Sequence, residues 1–203
     1  MPTEALSAKG RQTRQAIEQA ARKLFAERGF HGTTLADITS AAGKSPAVFY
    51  RYFADKEDLL AALAESFLHD VVAPSGLSLS LPESPYDTVF FTSVVTGYWN
   101  MFKQNIGIMI AVAQLAATQE RFAAVQNEFR RFGMDIVAAS VRRAQEQGYS
   151  HDLDPRHTAA AIALLFENFT TVFVGPSGLG LEMSDEDAIA TLSTIWKKTL
   201  YGT

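Results

Sequence analysis

Apolar residues along this chain recur at steps of three and four, the spacing that gathers side chains on one face of an α-helix. Over residues 13–28, Ile17, Ala20, Ala21, Leu24 and Phe25 share such a face, and Gly29 ends the helix. A short second helix opens at Thr34, where Thr34-Leu35-Ala36-Asp37 has the spacing of a capping box, and turns Leu35, Ile38 and Ala42 inward. Gly43 closes it with a residue that tolerates positive φ. Ser45-Pro46 opens a third helix that reaches about Tyr52. Serine is a good N-cap, and proline at the first helical position lacks only an N–H that would be unpaired there. Asp55 and Asp58 cap a fourth helix over 56–72.

Residues 73–85, rich in Pro, Ser and Gly, read as the clearest linker. Beyond them the period predicts helices at about 86–103, 106–118, 121–147, 155–174 and 185–201. Gly148 ends the third of these, Gly175-Pro176-Ser177-Gly178 ends the fourth, and Ser184 with Asp187 starts the last. No pair of alternating segments carries hairpin chemistry. The expectation is an all-α protein of about nine helices, divided into an N-terminal three-helix module at 1–56 and a helical body at 57–203.

Two short helices joined by a glycine turn and braced by a preceding helix form a helix-turn-helix, whose second helix enters the major groove of DNA. Here that second helix starts at Ser45. Lys44 and Ser45 stand where unpaired N–H groups and the helix dipole favour phosphate. Tyr50, Tyr52 and Lys56 add hydroxyl and ammonium donors suited to the phosphate backbone. Val48, Phe49 and Phe53 point back toward the first two helices. Pro46, Ala47 and Arg51 are left for the groove, where alanine meets a thymine methyl and arginine reads guanine.

Charge changes the picture only once it is divided. The whole chain carries −4, yet residues 9–56 hold nine Lys or Arg against four acids, and residues 57–203 hold nine against seventeen. A basic module that meets a polyanion, joined to an acidic body that does not, fits this asymmetry. The absence of cysteine excludes a disulfide framework, a thiolate metal site and a cysteine nucleophile. The first fourteen residues are polar, without the apolar core of a secretion signal, and the most apolar run, 106–117, is too short to span a bilayer. These features predict a cytoplasmic protein without a membrane segment.

The run Gly29-Phe-His-Gly-Thr-Thr-Leu-Ala-Asp-Ile, followed by Ala-Gly-Lys-Ser-Pro-Ala-Val-Phe-Tyr-Arg-Tyr-Phe-Ala-Asp-Lys-Glu-Asp-Leu-Leu60, closely resembles the TetR family of repressors. The resemblance covers about residues 11–60. It implies three N-terminal helices for double-stranded operator DNA, a C-terminal body that binds an inducer, and a homodimer through the last two long helices. It also implies phosphate contacts at Thr34, Ser45, Tyr50, Tyr52 and Lys56. Pro46-Ala47 stands where many relatives have a glycine-containing pair, and Tyr52 where histidine is common, so the base preference stays open.

In the acidic body, aromatic residues crowd one face of the helix from residue 86: Phe90, Val94, Tyr98 and Phe102, with Phe91, Val95 and Trp99 beside them. Met109, Ile110 and Ala113 follow, then Phe122, Val125, Phe129, Phe132 and Ile136 at heptad-like spacing, then Ile162, Leu165, Phe166, Phe169 and Phe173. Each alone reads as core. Together, with Asn100, Gln114 and Asn168 nearby, they fit an apolar cavity with a few orienting polar groups. The candidate ligand residues are Phe91, Val94, Tyr98, Trp99, Phe102, Met109, Ile110, Phe129, Phe166, Asn168 and Phe169, and the expected effector is small and largely apolar. Trp196 either anchors the dimer interface or fills the core beneath it. An enzyme is a poor fit, since His31, His69, His151 and His157 show no triad or metal spacing; His151 and His157 flank Asp152 and Asp154, which reads as a solvated loop. No cofactor is expected.

Overall fold

A computed structural model describes residues 7–72, 81–175 and 180–202, and every regular element among them is helical. In chain order these are α1 (Ala8–Arg28), α2 (Leu35–Ala41), α3 (Pro46–Phe49), α4 (Lys56–Val72), α5 (Thr88–Gln104), α6 (Ile106–Ala116), α7 (Glu120–Glu146), α8 (Pro155–Val174) and α9 (Asp185–Tyr201). The all-α architecture is as expected, and α8 and α9 keep the expected bounds.

Two differences have simple causes. α1 begins well before residue 13, because Ser7 caps it by accepting the Gly10 N–H; its first turn is polar, so hydrophobic period gave no sign of it. α3 is a single turn of four residues, and the chain continues through Tyr52 in hydrogen-bonded turns, with the Tyr52 N–H on the Phe49 carbonyl at 2.9 Å. The expected linker lies partly outside the described residues, at 73–80, as do 176–178 after the Gly175 cap of α8.

The chain packs as two compact units. The first holds α1 to α3, α4 as far as His69, α6 from Gly107 and the start of α7 to Val125; the second holds α5, the rest of α7, α8 and α9. Packing therefore does not divide the chain at residue 57: Leu59, Leu60, Leu63 and Ala64 of α4 are buried in the same cluster as Ile17, Phe25, Ile38 and Phe49. Ile108, Ala111, Val112, Leu115 and Phe122 complete that core.

Gly107, near the start of α6, explains how closely this unit is assembled. A Cβ at this position would stand 2.5 Å from the Ala26 nitrogen and the Phe25 carbonyl carbon, so α6 meets the α1 backbone with no side chain between. Glu57 at the start of α4 accepts from Gln119 Nε2 at 3.0 Å and lies 3.5 Å from the Arg121 guanidinium.

In the second unit α5 packs on α9 and α8. Phe90 and Phe91 set their rings edge-on to Trp196, at 5.5 and 5.2 Å between centroids. Trp196 is buried and donates its indole N–H to Ser140 Oγ at 3.2 Å. It fills the core, which settles the choice left open by the sequence. The Tyr98 and Thr170 hydroxyls are buried beside each other, and burial pushes the Tyr98 pKa up. Asp185 is held below its usual range chiefly by the Lys103 ammonium.

α8 has the length and composition to cross a bilayer, and most of it is not buried by the rest of the chain. Glu167 in its middle is ion-paired to Arg130 of α7. Leu164 (49% exposed), Leu165 (40%) and, on α9, Ile195 (37%) stand on the surface.

Candidate DNA-binding face and ligand cavity

The candidate DNA-binding face is built on α2, the turn at Gly43 and α3. Thr34 accepts the Asp37 N–H at 3.1 Å, while Asp37 accepts the Thr34 N–H at 2.8 Å, closing the capping box. The Thr34 hydroxyl also donates to Asp37 Oδ2 at 2.5 Å. These hydrogen bonds, side-chain first, and then the charge of Arg28, hold the Asp37 carboxyl below its ordinary range.

Gly43 adopts φ 63°, and the next N–H, that of Lys44, returns to the Thr39 carbonyl at 2.9 Å. Ser45 then caps α3 through the Val48 N–H, and Pro46 occupies the first turn.

Phe49 and Phe53 are fully buried and anchor α3 on the first unit's core, and Val48 is half-buried. Their burial forces the opposite face outward: Ser45, Pro46, Ala47, Tyr50 and Arg51 are exposed, Tyr50 at 59%. Lys44 and Tyr52 are half-buried, and Tyr52 packs at the rim of the core. Thr34 is exposed at the neighbouring helix start. The face thus presents hydroxyls, one guanidinium and a small apolar step on a rigid base.

Lys56 has a further duty. Its ammonium donates to the Phe30 and Thr33 carbonyls, both at 2.7 Å, and lies 4.2 Å from the Phe30 ring centroid. Burial lowers its pKa. The two carbonyls take two of its three protons. Thr33, which the sequence reading passed over, is wholly buried and donates to the Gly29 carbonyl at 2.8 Å. With Lys56 it locks the loop leading into α2. The sequence signal was present only as a second threonine before the cap.

The second unit contains a partly open cavity of about 480 Å³. Of the expected ligand residues, Val94, Tyr98, Phe129 and Phe166 line it. Phe91, Trp99, Phe102 and Phe169 do not: the first three are buried in packing, and Phe169 stacks on Phe173 at 4.6 Å. Met109 and Ile110 belong to the first unit, and Asn168 is exposed on the outer side of α8. The heptad-like row of α7 is likewise divided, with Phe122 and Val125 in the first core and Phe129, Phe132 and Ile136 on the cavity wall.

Sequence reasoning missed two pairs on that wall. Gly97 and Gly133 sit inside α5 and α7, and a Cβ at either would meet nothing within 4 Å. Arg130 and Glu167 form a bidentate ion pair at 2.6 and 2.8 Å, and Gln126 also donates to Glu167, at 3.0 Å. Interior helix glycines were the available signal for the first pair; the second needs the register between α7 and α8.

At the α7–α8 corner Asp154 caps α8, accepting the Arg156 and His157 N–H groups, which gives this acid-histidine cluster a structural role.

Residues 17–63 match the family described as bacterial regulatory proteins, tetR family. The chain is similar to the transcriptional regulator EthR of Mycobacterium tuberculosis, 29% identical over 92% of this chain and 86% of that one. It is also similar to the transcriptional repressor AcnR of Corynebacterium glutamicum, 40% identical over 32% of this chain and 36% of that one. Among solved structures, the regulator FadR of Bacillus subtilis, in complex with stearoyl-CoA, has the same fold: TM-score 0.67, 19% identity, 93% of this chain and 97% of that one.

Proposed function

We infer that this chain, a helix-turn-helix transcriptional regulator of the TetR family, is a repressor that leaves a palindromic operator when a small, largely apolar ligand enters the second unit. The observation that carries the DNA-binding part is the outward face of α3. Pro46, Ala47, Tyr50 and Arg51 stand in solvent because Phe49 and Phe53 are buried behind them.

In this reading Ala47 and Arg51 approach base edges in the major groove, with Pro46 fixing the entry of α3. Thr34, Lys44, Ser45, Tyr50, Tyr52 and the remaining proton of Lys56 contact phosphates and set the register. The protein works in the cytoplasm as a homodimer through α8 and α9. Leu164, Leu165 and Ile195 give that pairing an apolar surface, and two-fold symmetry matches a palindromic site.

The ligand occupies the cavity lined by Val94, Tyr98, Phe129 and Phe166. It acts by binding the DNA-incompetent state more tightly than the competent one, since equal affinity would shift nothing. The functional division, a DNA-reading part over 1–56 and a sensing and dimerising part over 57–203, follows these roles rather than the packing.

The test is to incubate the purified chain with fragmented genomic DNA of its source at physiological salt and to sequence what it retains. A recovered palindrome whose affinity falls steeply with salt supports the reading. Retention of nothing above background overturns it.

A further inference from the structure

The cavity wall says more about its occupant than that it is apolar. Among the described residues eighteen line the space, and six of these are aromatic: Phe90, Tyr98, Phe129, Phe132, Phe166 and Trp196. The only charged groups among them are Asp87, Arg130 and Glu167.

None of these is available as a simple counter-charge. Both Glu167 oxygens are taken, Oε2 by Arg130 Nε and Oε1 by Arg130 Nη2 and Gln126. Asp87 is the N-cap of α5 and spends its oxygens on the Phe90 and Glu83 N–H groups. An anionic head would have to separate Arg130 from a bidentate partner and then sit beside Glu167. A cationic head would find carboxylates whose lone pairs are already engaged. Arg130 also donates from Nη1 to Asn127 Oδ1 at 3.5 Å; what the wall offers is the remaining N–H capacity of that guanidinium, held in place by Glu167, which suits a neutral oxygen acceptor.

The two glycines explain the space itself. Gly97 and Gly133 have ordinary helical backbone, and neither abuts protein: a Cβ at either would point into open space. Glycine inside a helix costs about 1 kcal/mol relative to alanine. No turn, positive φ or close protein contact at these positions accounts for that cost. Volume reserved for a ligand does.

Building on the ligand reading above, we propose that the cavity selects an uncharged ligand of drug-like size, with an aromatic or alicyclic body that passes between Gly97 and Gly133 and one oxygen acceptor that faces the Arg130–Glu167 pair. Carboxylates, and esters whose other half carries phosphates, are disfavoured as occupants. Gly97 and Gly133 set shape selectivity, and Glu167 sets charge selectivity by keeping Arg130 neutralised.

The experiment uses the full chain and three probes of one shape: phenylbutanol, phenylbutyrate and phenylbutylamine, titrated by calorimetry. Phenylbutanol is expected to bind at least about tenfold more tightly than either charged probe, a difference of about 1.4 kcal/mol. G133L and G97L, each checked for undiminished helicity and melting temperature, are expected to abolish phenylbutanol binding by filling the space. E167Q is expected to reverse the preference, so that phenylbutyrate binds more tightly than the alcohol, because Arg130 then lacks its counter-charge.

Tighter binding of phenylbutyrate or phenylbutylamine than of the alcohol to the unaltered chain would overturn the charge selection and leave the ligand reading standing. Binding of none of the three, or binding that both glycine variants leave intact, would overturn the ligand reading as well.

Discussion

The Lys56 ammonium donates to the Phe30 carbonyl at 2.7 Å while lying 4.2 Å from the centroid of the same residue's ring. One side chain thereby ties the start of α4 to the loop that leads into α2. The Thr33 carbonyl, also 2.7 Å away, completes the anchorage. Replacing Lys56 with methionine keeps the stem and deletes the donor. We expect a loss of about 2 kcal/mol in denaturant unfolding, since two carbonyls lose a charged partner. If its last proton meets a phosphate, the slope of log affinity against log salt also falls by about one contact.

Tyr50 and Arg51 are the cleaner tests of DNA contact, because both are exposed and removing their polar groups leaves the core intact. Tyr50→Phe should leave the melting temperature unchanged and weaken operator binding by about tenfold, equally on all sites. Arg51→Ala should cost about 1–3 kcal/mol of discrimination at one base pair and relax preference there. An Arg51→Ala protein with unaltered base preference would remove Arg51 from the groove.

Two alanine substitutions at glycine should move stability in opposite directions. At Gly43, where φ is 63°, alanine forces a side chain into the left-handed region and should cost about 1–2 kcal/mol. At Gly133, where backbone is helical and the surrounding space empty, alanine should add about 1 kcal/mol. Chemical denaturation of the two variants reads both signs.

The Asp37 carboxyl makes an acid-side prediction. Its pKa in the folded chain lies below its ordinary 3.8, so its contribution to stability is fully present above that value and is lost as pH falls through the lowered one. Thr34→Ala removes the hydrogen bonds that lower it. The Asp37 titration followed by NMR should then move up, and the helix should lose about 1 kcal/mol with its cap.

The outer faces of α8 and α9 test association. Leu165→Glu, at a position already exposed in the single chain, should not unfold it. Light scattering should show a shift from dimer to monomer. An undisturbed dimer would place the interface elsewhere.

Helix bounds were legible where an apolar stripe and a cap coincided, as at Thr34, Pro155 and Ser184. The first turn of α1 was not, because its residues are polar and only Ser7 marks it. The exposed half of the DNA face could be read from period alone: once Phe49 and Phe53 point inward, Ala47, Tyr50 and Arg51 have nowhere else to go. The anchoring role of Lys56 could not, since its carbonyl partners sit 23 and 26 residues away. The cavity was legible as an aromatic surplus but not as a list. Phe91 and Phe90 are neighbours on α5, yet only Phe90 reaches the space, and that choice depends on where Trp196 of α9 comes to rest.

The chain's two tryptophans, Trp99 and Trp196, both belong to the second unit. Trp196 lines the cavity with its indole N–H fixed on Ser140, while the DNA-binding face contains none. The molecule therefore carries its own optical label where a ligand would sit and is dark to the same wavelength where it would touch DNA. Indole emission can follow occupancy of the cavity without a dye, and it can do so while the protein is on its operator.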